Sequence, residues 1–136
     1  MIDMPAGGLG DLPFASMGDL GLDRRKVTQC ALSRICGVCG ESLARPVHFL
    51  GSAEEADRNA FHFPPTHESC AVLALDVWGT SSAALGHQHA PEEWALVTTS
   101  GFEYVRPTTE WEDRRAVFAP NSVIAERRVP ASVARP

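Results

Sequence analysis

The stretch "CGVCG" at residues 36–40 and the stretch "HESC" at residues 67–70 decide the fold. Each contains two side chains that bind soft metal ions, and two other residues separate them. Thiolate sulfur and imidazole nitrogen are the ligands of structural zinc sites, which are closed by four protein ligands. The spacing therefore predicts a structural Zn²⁺ site whose ligands are Cys36, Cys39, His67 and Cys70.

The residues around each pair agree with this interpretation. Gly37 and Gly40 allow a tight turn whose amides point at the cysteine sulfurs, as in a zinc knuckle. His67 and Cys70 are three residues apart, so both reach one ion from the first turn of a helix. Two alternatives remain: a redox-active cysteine pair, and buried cysteines without a metal. A redox pair should open a helix after a strand, whereas Gly40 and a predicted hairpin follow here.

The segments between the two pairs predict a β-hairpin and a helix. "RPVHFLG" at 45–51 and "FHF" at 61–63 have the composition of strands, with the polar loop "SAEEADRNA" between them. A buried helix follows from Thr66, and Gly79 is its predicted stop. The order of knuckle, hairpin and ligand-bearing helix is that of a treble clef zinc fold.

The C-terminal half predicts two further hairpins. "WALVTT" and "FEYVRP" flank the turn pair Ser100-Gly101. "AVFA" and "VIAERRV" flank the turn residues at 120–122. The predicted fold class is therefore α+β, with a treble clef zinc centre packed against a small antiparallel β unit.

Length and composition predict one domain with loose ends. The chain has 136 residues, enough for a modest core that benefits from a metal staple. Residues 1–22 contain five glycines and two prolines and predict a flexible arm. The zinc-binding domain is then expected over residues 23–130, with a short tail at 131–136.

The sequence also predicts a cytoplasmic protein. No apolar run approaches the roughly 20 residues that a membrane helix needs. The first residues carry acidic groups and no basic segment, unlike a signal peptide. We therefore expect no membrane partner and a compartment in which thiols stay reduced.

Charge provides a candidate anion-binding strip. The net charge of −5 argues against general binding to a phosphate backbone. A basic cluster precedes the first cysteine pair, and it could contact nucleic acid or another anion. Its members are Arg24, Arg25, Lys26 and Arg34. The alternative interpretation is a solvated surface, which is the usual role of a charge run.

The remaining cysteine and histidines give no catalytic motif. Cys30 is interpreted as a small buried apolar residue rather than a spare ligand. His48 and His62 occupy the two predicted hairpin strands, where an HNH-type nuclease would carry its water-activating histidine. His87 and His89 alternate in a loop and are interpreted as loop polarity rather than a second metal site. We predict no catalytic residues.

The stretch "CGVCGESLARPVHFLG…FHFPPTHESCA", with "WALVTTSGFEYVRP" after it, carries a resemblance. Over roughly residues 24–128 the chain resembles a family of small, mostly uncharacterised zinc-binding proteins of actinobacteria, their phages and mobile elements. The resemblance implies the same four metal ligands and implies nothing about activity.

Three functions follow as alternatives. The favoured one is a zinc-stabilised, non-catalytic binding or adaptor module with a protein partner. The second is a small metal-dependent enzyme, an HNH-like nuclease using the hairpin or loop histidines. The third is a nucleic-acid-binding protein that uses the basic strip at 24–34. An enzyme should show a pocket with converging polar groups, and an adaptor should show an exposed apolar surface.

Overall fold

The computed structural model describes residues 12–79 and 82–131. Helices and antiparallel strands are mixed, so the predicted α+β class is confirmed. The helices are α1 (Arg24–Ser33), α2 (Ala53–Asp57) and α3 (Glu68–Trp78). The strands are β1 (Val47–Ser52), β2 (Glu93–Thr99), β3 (Phe102–Val105), β4 (Val117–Pro120) and β5 (Val123–Pro130). Short 3₁₀ turns cover Gly18–Leu20 and Ser82–Leu85. Within these ranges no helix has the length and apolar character to cross a membrane.

The C-terminal strands form one long bent ribbon. β2 pairs with β5, and β3 pairs with β4, both antiparallel. At the bend the Ser100 amide donates to the Ser122 carbonyl and the Asn121 amide donates to the Gly101 carbonyl, so the ladder continues from one sheet into the other. A register shift between Thr98 and Thr99 accompanies the bend, because an extra residue in one strand increases the local twist.

The strands of the two predicted C-terminal hairpins are present, but their predicted pairing is wrong. Ser100-Gly101 and Asn121-Ser122 are corners through which the chain continues, whereas a hairpin turn would reverse it. The chain reverses instead over residues 106–116, which connect β3 to β4. The turn-forming residues therefore lie where the ribbon bends and not where the chain reverses.

The predicted hairpin of residues 45–51 and 61–63 is also corrected. β1 pairs along its whole length with β2, and its contact with the following segment is a single bridge between His48 and Thr66. Phe61 bridges to Phe118 in β4. The predicted polar loop contains α2, which begins with a capping box between Ser52 and Glu55. An S-x-x-E pattern is the signal for such a box, and it lay within the segment assigned to a loop.

The three-stranded sheet β1-β2-β5 separates two apolar clusters. Leu50 and Leu96 face the cluster that contains Trp78 of α3. Phe49 and Val97 face the other cluster. Because side chains alternate along a strand, β1 contributes to both clusters, and all six of its residues are buried. This double burial explains why β1 lies between the two clusters and not in an exposed hairpin.

Part of the predicted N-terminal arm belongs to the folded domain. The Phe14 amide donates to the Val38 carbonyl at 2.9 Å, and the Ala15 amide donates to the Gly37 carbonyl at 3.0 Å. Gly40 has φ +78°, and a Cβ there would lie 3.0 Å from the Phe14 ring. Phe14 and Ala15 thus pack on the cysteine knuckle and belong to the folded domain. Residues 1–11 of the predicted arm and 132–136 of the predicted tail lie outside the described residues.

Candidate metal centre

The four predicted ligands meet in one cluster. The ligand atoms of Cys36, Cys39, His67 and Cys70 all lie within 4.8 Å of one another. The first pair sits in a tight turn closed by a bridge between Ile35 and Ser42. His67 is the N-cap of α3, so Cys70 follows on the first turn of that helix.

Backbone and histidine geometry orient the donors. The amides of Val38 and Cys39 point at the Cys36 Sγ, at 3.3 and 3.5 Å. His67 Nδ1 lies 3.5 Å from the Cys39 Sγ and 3.8 Å from the Cys70 Sγ. On the other side of the ring, His67 Nε2 donates to the Ser42 carbonyl at 2.9 Å. This hydrogen bond leaves the Nδ1 lone pair free to bind a metal ion, as in most histidine metal sites.

The acidities of the three thiols show why a cation fits here. The Cys70 thiol donates to the Cys36 sulfur and, with nearby amides, lowers the pKa of Cys36 to about 5 against the opposing effect of burial. The same bond to Cys36 raises the pKa of Cys70. Burial and then the Cys36 charge raise the pKa of Cys39. Three thiolates cannot share this space without a compensating charge, and a divalent cation supplies it.

The arrangement is therefore able to bind a metal ion, and its three sulfurs and one nitrogen are consistent with zinc. Cys36 is fully buried, while the other three ligands are partly exposed. Cys30 is buried as predicted and lies outside the cluster. Burial, followed by the charges of Cys36 and Cys39, raises the pKa of the Cys30 thiol to about 12.

The four residues of the basic strip have different immediate surroundings. The Lys26 Nζ lies over the Phe14 ring, 5.1 Å from its centroid. The Arg34 guanidinium lies over the Phe102 ring at 5.3 Å. Arg25 is exposed, and Arg24 lines a separate cavity. Binding of nucleic acid by this strip stays a prediction.

The hairpin histidines lie apart from the metal centre. His48 Nδ1 is 2.9 Å from the Thr98 Oγ1, across the β1–β2 ladder. His62 Nδ1 donates to the Ala116 carbonyl at 3.0 Å. Both side chains are buried, and neither is close enough to join the four-ligand cluster. His48 and His62 therefore bond to different parts of the chain, β2 and the connection between β3 and β4.

A second polar cluster centres on the buried carboxylate of Glu55, which sequence reasoning missed. Its Oε1 accepts the Ser52 amide at 3.0 Å and lies 3.6 Å from His87 Nε2. Its Oε2 accepts the His62 amide at 3.3 Å. Arg115 is near this group, because it donates to the Gly86 carbonyl beside His87. We call Ser52, Glu55, His62, His87 and Arg115 the Glu55 cluster.

The histidines of the loop at 87–89 differ in environment. His89 is exposed, in agreement with the predicted loop polarity. His87 turns inward, and its ring meets the Trp94 ring edge-on with centroids 5.2 Å apart. Burial, followed by the charge of Arg115, lowers the pKa of His87 to about 4. The capping-box pattern at 52–55 could have identified the first bond of Glu55, but no sequence pattern places His87 beside it.

Comparison with known proteins adds no relative: no protein-family model, no curated protein and no solved structure matches the chain. The resemblance to actinobacterial and phage zinc-binding proteins therefore stays a prediction. The metal centre rests on the geometry of its four side chains.

Proposed function

We propose that Cys36, Cys39, His67 and Cys70 hold a structural Zn²⁺ in a treble-clef-like centre. The knuckle precedes α3 in the chain, and the single bridge between His48 and Thr66 lies between them, where a treble clef has a β-hairpin. Four protein ligands leave no coordination position for water or substrate, so the ion would stabilise the fold without taking part in chemistry.

We further propose that the zinc-stabilised domain is a non-catalytic binding module that recognises a protein partner through β5. One observation carries this proposal. The six residues from Val123 to Arg128 are all exposed, although they lie in a paired strand. β5 pairs with β2 on one side, and within the described chain no strand pairs with its other edge. Such an edge offers a row of main-chain donors and acceptors.

The side chains of β5 give this edge an apolar and a charged part. Val123 is 52% exposed and Ile124 is 61% exposed, which is high for large apolar residues in a strand. Glu126, Arg127 and Arg128 follow them. A partner segment in extended conformation would pair with the main chain of β5, place apolar residues on Ile124 and match the charges beyond it. Main-chain pairing supplies affinity, and the flanking side chains supply specificity.

Site-specific photo-crosslinking tests this proposal. A benzoylphenylalanine at position 124 should yield one dominant crosslinked protein in cells that naturally produce this chain. The matched control carries the same group at Leu32 of α1, which is 64% exposed, and should not yield that product. Recovery of the same proteins from both positions would show non-specific contact and contradict the proposal. A product consisting of two copies of this chain would replace the adaptor with a self-associating strand.

A further inference from the structure

A cavity of about 320 Å³ lies beside the first turn of α1, remote from the metal ligands. Its walls come from α1, from Tyr104 of β3 and from the connection between β3 and β4. Its volume is within the range of small-molecule sites. The polar side chains that line it are Arg24, Thr28, His62, Tyr104, Arg106, Arg114 and Arg115.

The cavity has a concentrated positive charge. Four of its lining residues are arginines, and no Asp or Glu of the described residues lines it. Arg115 is paired with Asp113 just outside, at 2.7 Å. Arg114 donates to the carbonyls of Thr109 and Trp111, which carry no net charge.

The other two arginines are not neutralised within the described chain, since no ion pair there includes Arg24 or Arg106. Like charges gathered around a concave surface repel one another, and a bound anion relieves that repulsion. The planar guanidinium groups match the oxygens of phosphate and carboxylate.

The rest of the lining is apolar. Leu22, Val27, Pro107 and Ala116 contribute aliphatic surface, and Tyr104 adds an aromatic ring. The Tyr104 hydroxyl is held 3.1 Å from the Thr28 Oγ1, which links β3 to α1 across the cavity. A site for inorganic anions alone would not need this apolar surface. The lining instead matches a molecule with an anionic head and an apolar body.

We propose that this cavity binds a small organic oxyanion, with its phosphate or carboxylate group on Arg24, Arg106 and Arg114 and its apolar body against Tyr104 and Pro107. This site is independent of the metal centre and of β5. It includes one residue of the predicted basic strip, Arg24, and gives that residue a small-molecule ligand.

Calorimetric titration of the zinc-loaded full chain tests the proposal with four probes. Phenyl phosphate and benzoate carry both an anionic head and an apolar body. Inorganic phosphate lacks the body, and benzyl alcohol lacks the charge. We expect at least one of the two organic anions to bind about tenfold tighter than both single-feature probes. The stronger of the two identifies the anionic head that the arginines prefer.

Two matched variants show whether the binding belongs to this cavity. Arg106→Gln should weaken the tighter organic anion about tenfold, because it removes one charged hydrogen-bonding group. Arg127→Gln removes another exposed charge, from β5 outside the cavity, and should leave binding unchanged. Both positions are exposed, so neither change should disturb the fold, and zinc content and circular dichroism verify this.

Several results would overturn the proposal. Equal binding of inorganic phosphate and phenyl phosphate would show that the apolar surface is not used. Equal losses in Arg106→Gln and Arg127→Gln would indicate general electrostatic attraction. Failure of both organic anions to bind, or displacement of them by an oligonucleotide with steep salt dependence, would also reject a small-molecule site.

Discussion

The metal centre and the Glu55 cluster each gather titratable groups within a small space, but they are built in different ways. The metal centre consists of two local pairs, 36/39 and 67/70. To bind an ion, its cysteines have to be thiolates and its histidine has to be neutral. The Glu55 cluster combines groups from four separate segments, and its charges are balanced by hydrogen bonds and by each other. We therefore expect the metal centre to depend on a bound cation, and the Glu55 cluster to depend on its own side chains.

Removing a metal ligand should have the largest effect. Cys70→Ser or Cys36→Ser should abolish cooperative unfolding, because structural zinc contributes roughly 10 kcal/mol and small domains have about 5–15 kcal/mol in total. Thermal and urea unfolding, with metal content measured by mass spectrometry, would show it. Cys30→Ala is the matched control, since Cys30 is buried outside the cluster, and it should keep the metal.

A strong chelator should reproduce the effect of the ligand variants in the unaltered chain. If the metal-free protein kept its full unfolding temperature, the metal centre would not be structural. The two regions would then be alike in depending on side chains alone.

Removing the central carboxylate should give a smaller loss with the metal retained. Glu55→Ala leaves the buried amides of Ser52 and His62 without their acceptor, which should cost about 3 kcal/mol. Urea unfolding at pH 7 measures it. Glu54→Ala changes the exposed neighbour on α2 and should be close to neutral. Loss of zinc in Glu55→Ala would contradict the independence of the two regions.

The same contrast explains what the sequence could predict. Cys36 with Cys39, and His67 with Cys70, are each fixed by local geometry, so their spacing sufficed to propose a common ion. The strand segments were also recognisable from composition. Their partners were not, because Ser100-Gly101 satisfies the rules for a turn as well as those for a bend in a continuous ribbon.

The Glu55 cluster could not be assembled from sequence for a related reason. His62 and His87 contact Glu55 only in the assembled fold. Arg115 reaches Gly86 from the connection at 106–116. No fixed spacing describes such a site. Likewise, the sequence assigns Phe14 and Ala15 to a glycine-rich arm. Their amides find acceptors only in the knuckle backbone, which is distant in sequence.

Acid should distinguish the two regions through His87. Burial lowers the pKa of His87 to about 4 in the folded chain, below its ordinary value of 6.5. The unfolded chain therefore binds more protons between these values, and stability is lost as the pH falls from about 6.5 to about 4. A shift of this size corresponds to about 3 kcal/mol. Burial raises the pKa of Glu55, which acts in the opposite direction and reduces the net loss of stability on acidification.

The variant His87→Gln isolates this contribution. Between pH 7 and pH 4.5 it should lose less stability than the unaltered chain, whereas His89→Gln, at an exposed position, should not differ from it. Protonation also weakens metal binding, so zinc content has to be followed in all three proteins. Identical pH profiles for His87→Gln and the unaltered chain would show that His87 titrates normally and is not part of the cluster.

The smallest expected effect concerns His48, which lies between the two regions. Its main chain bridges to Thr66, next to the ligand His67, while its ring is 2.9 Å from the Thr98 hydroxyl. Thr98→Val keeps the shape of the side chain in β2 and removes only that hydroxyl. The loss of one side-chain hydrogen bond should lower the free energy of unfolding by about 1 kcal/mol. Thr109→Val, at an exposed position in the loop, is the control and should cost almost nothing.

Zinc content and the acid profile attributed to His87 should both remain unchanged in Thr98→Val. Loss of metal from this variant would mean that the orientation of the His48 ring supports the metal centre, and the boundary between the two regions would then have to be drawn beyond β1.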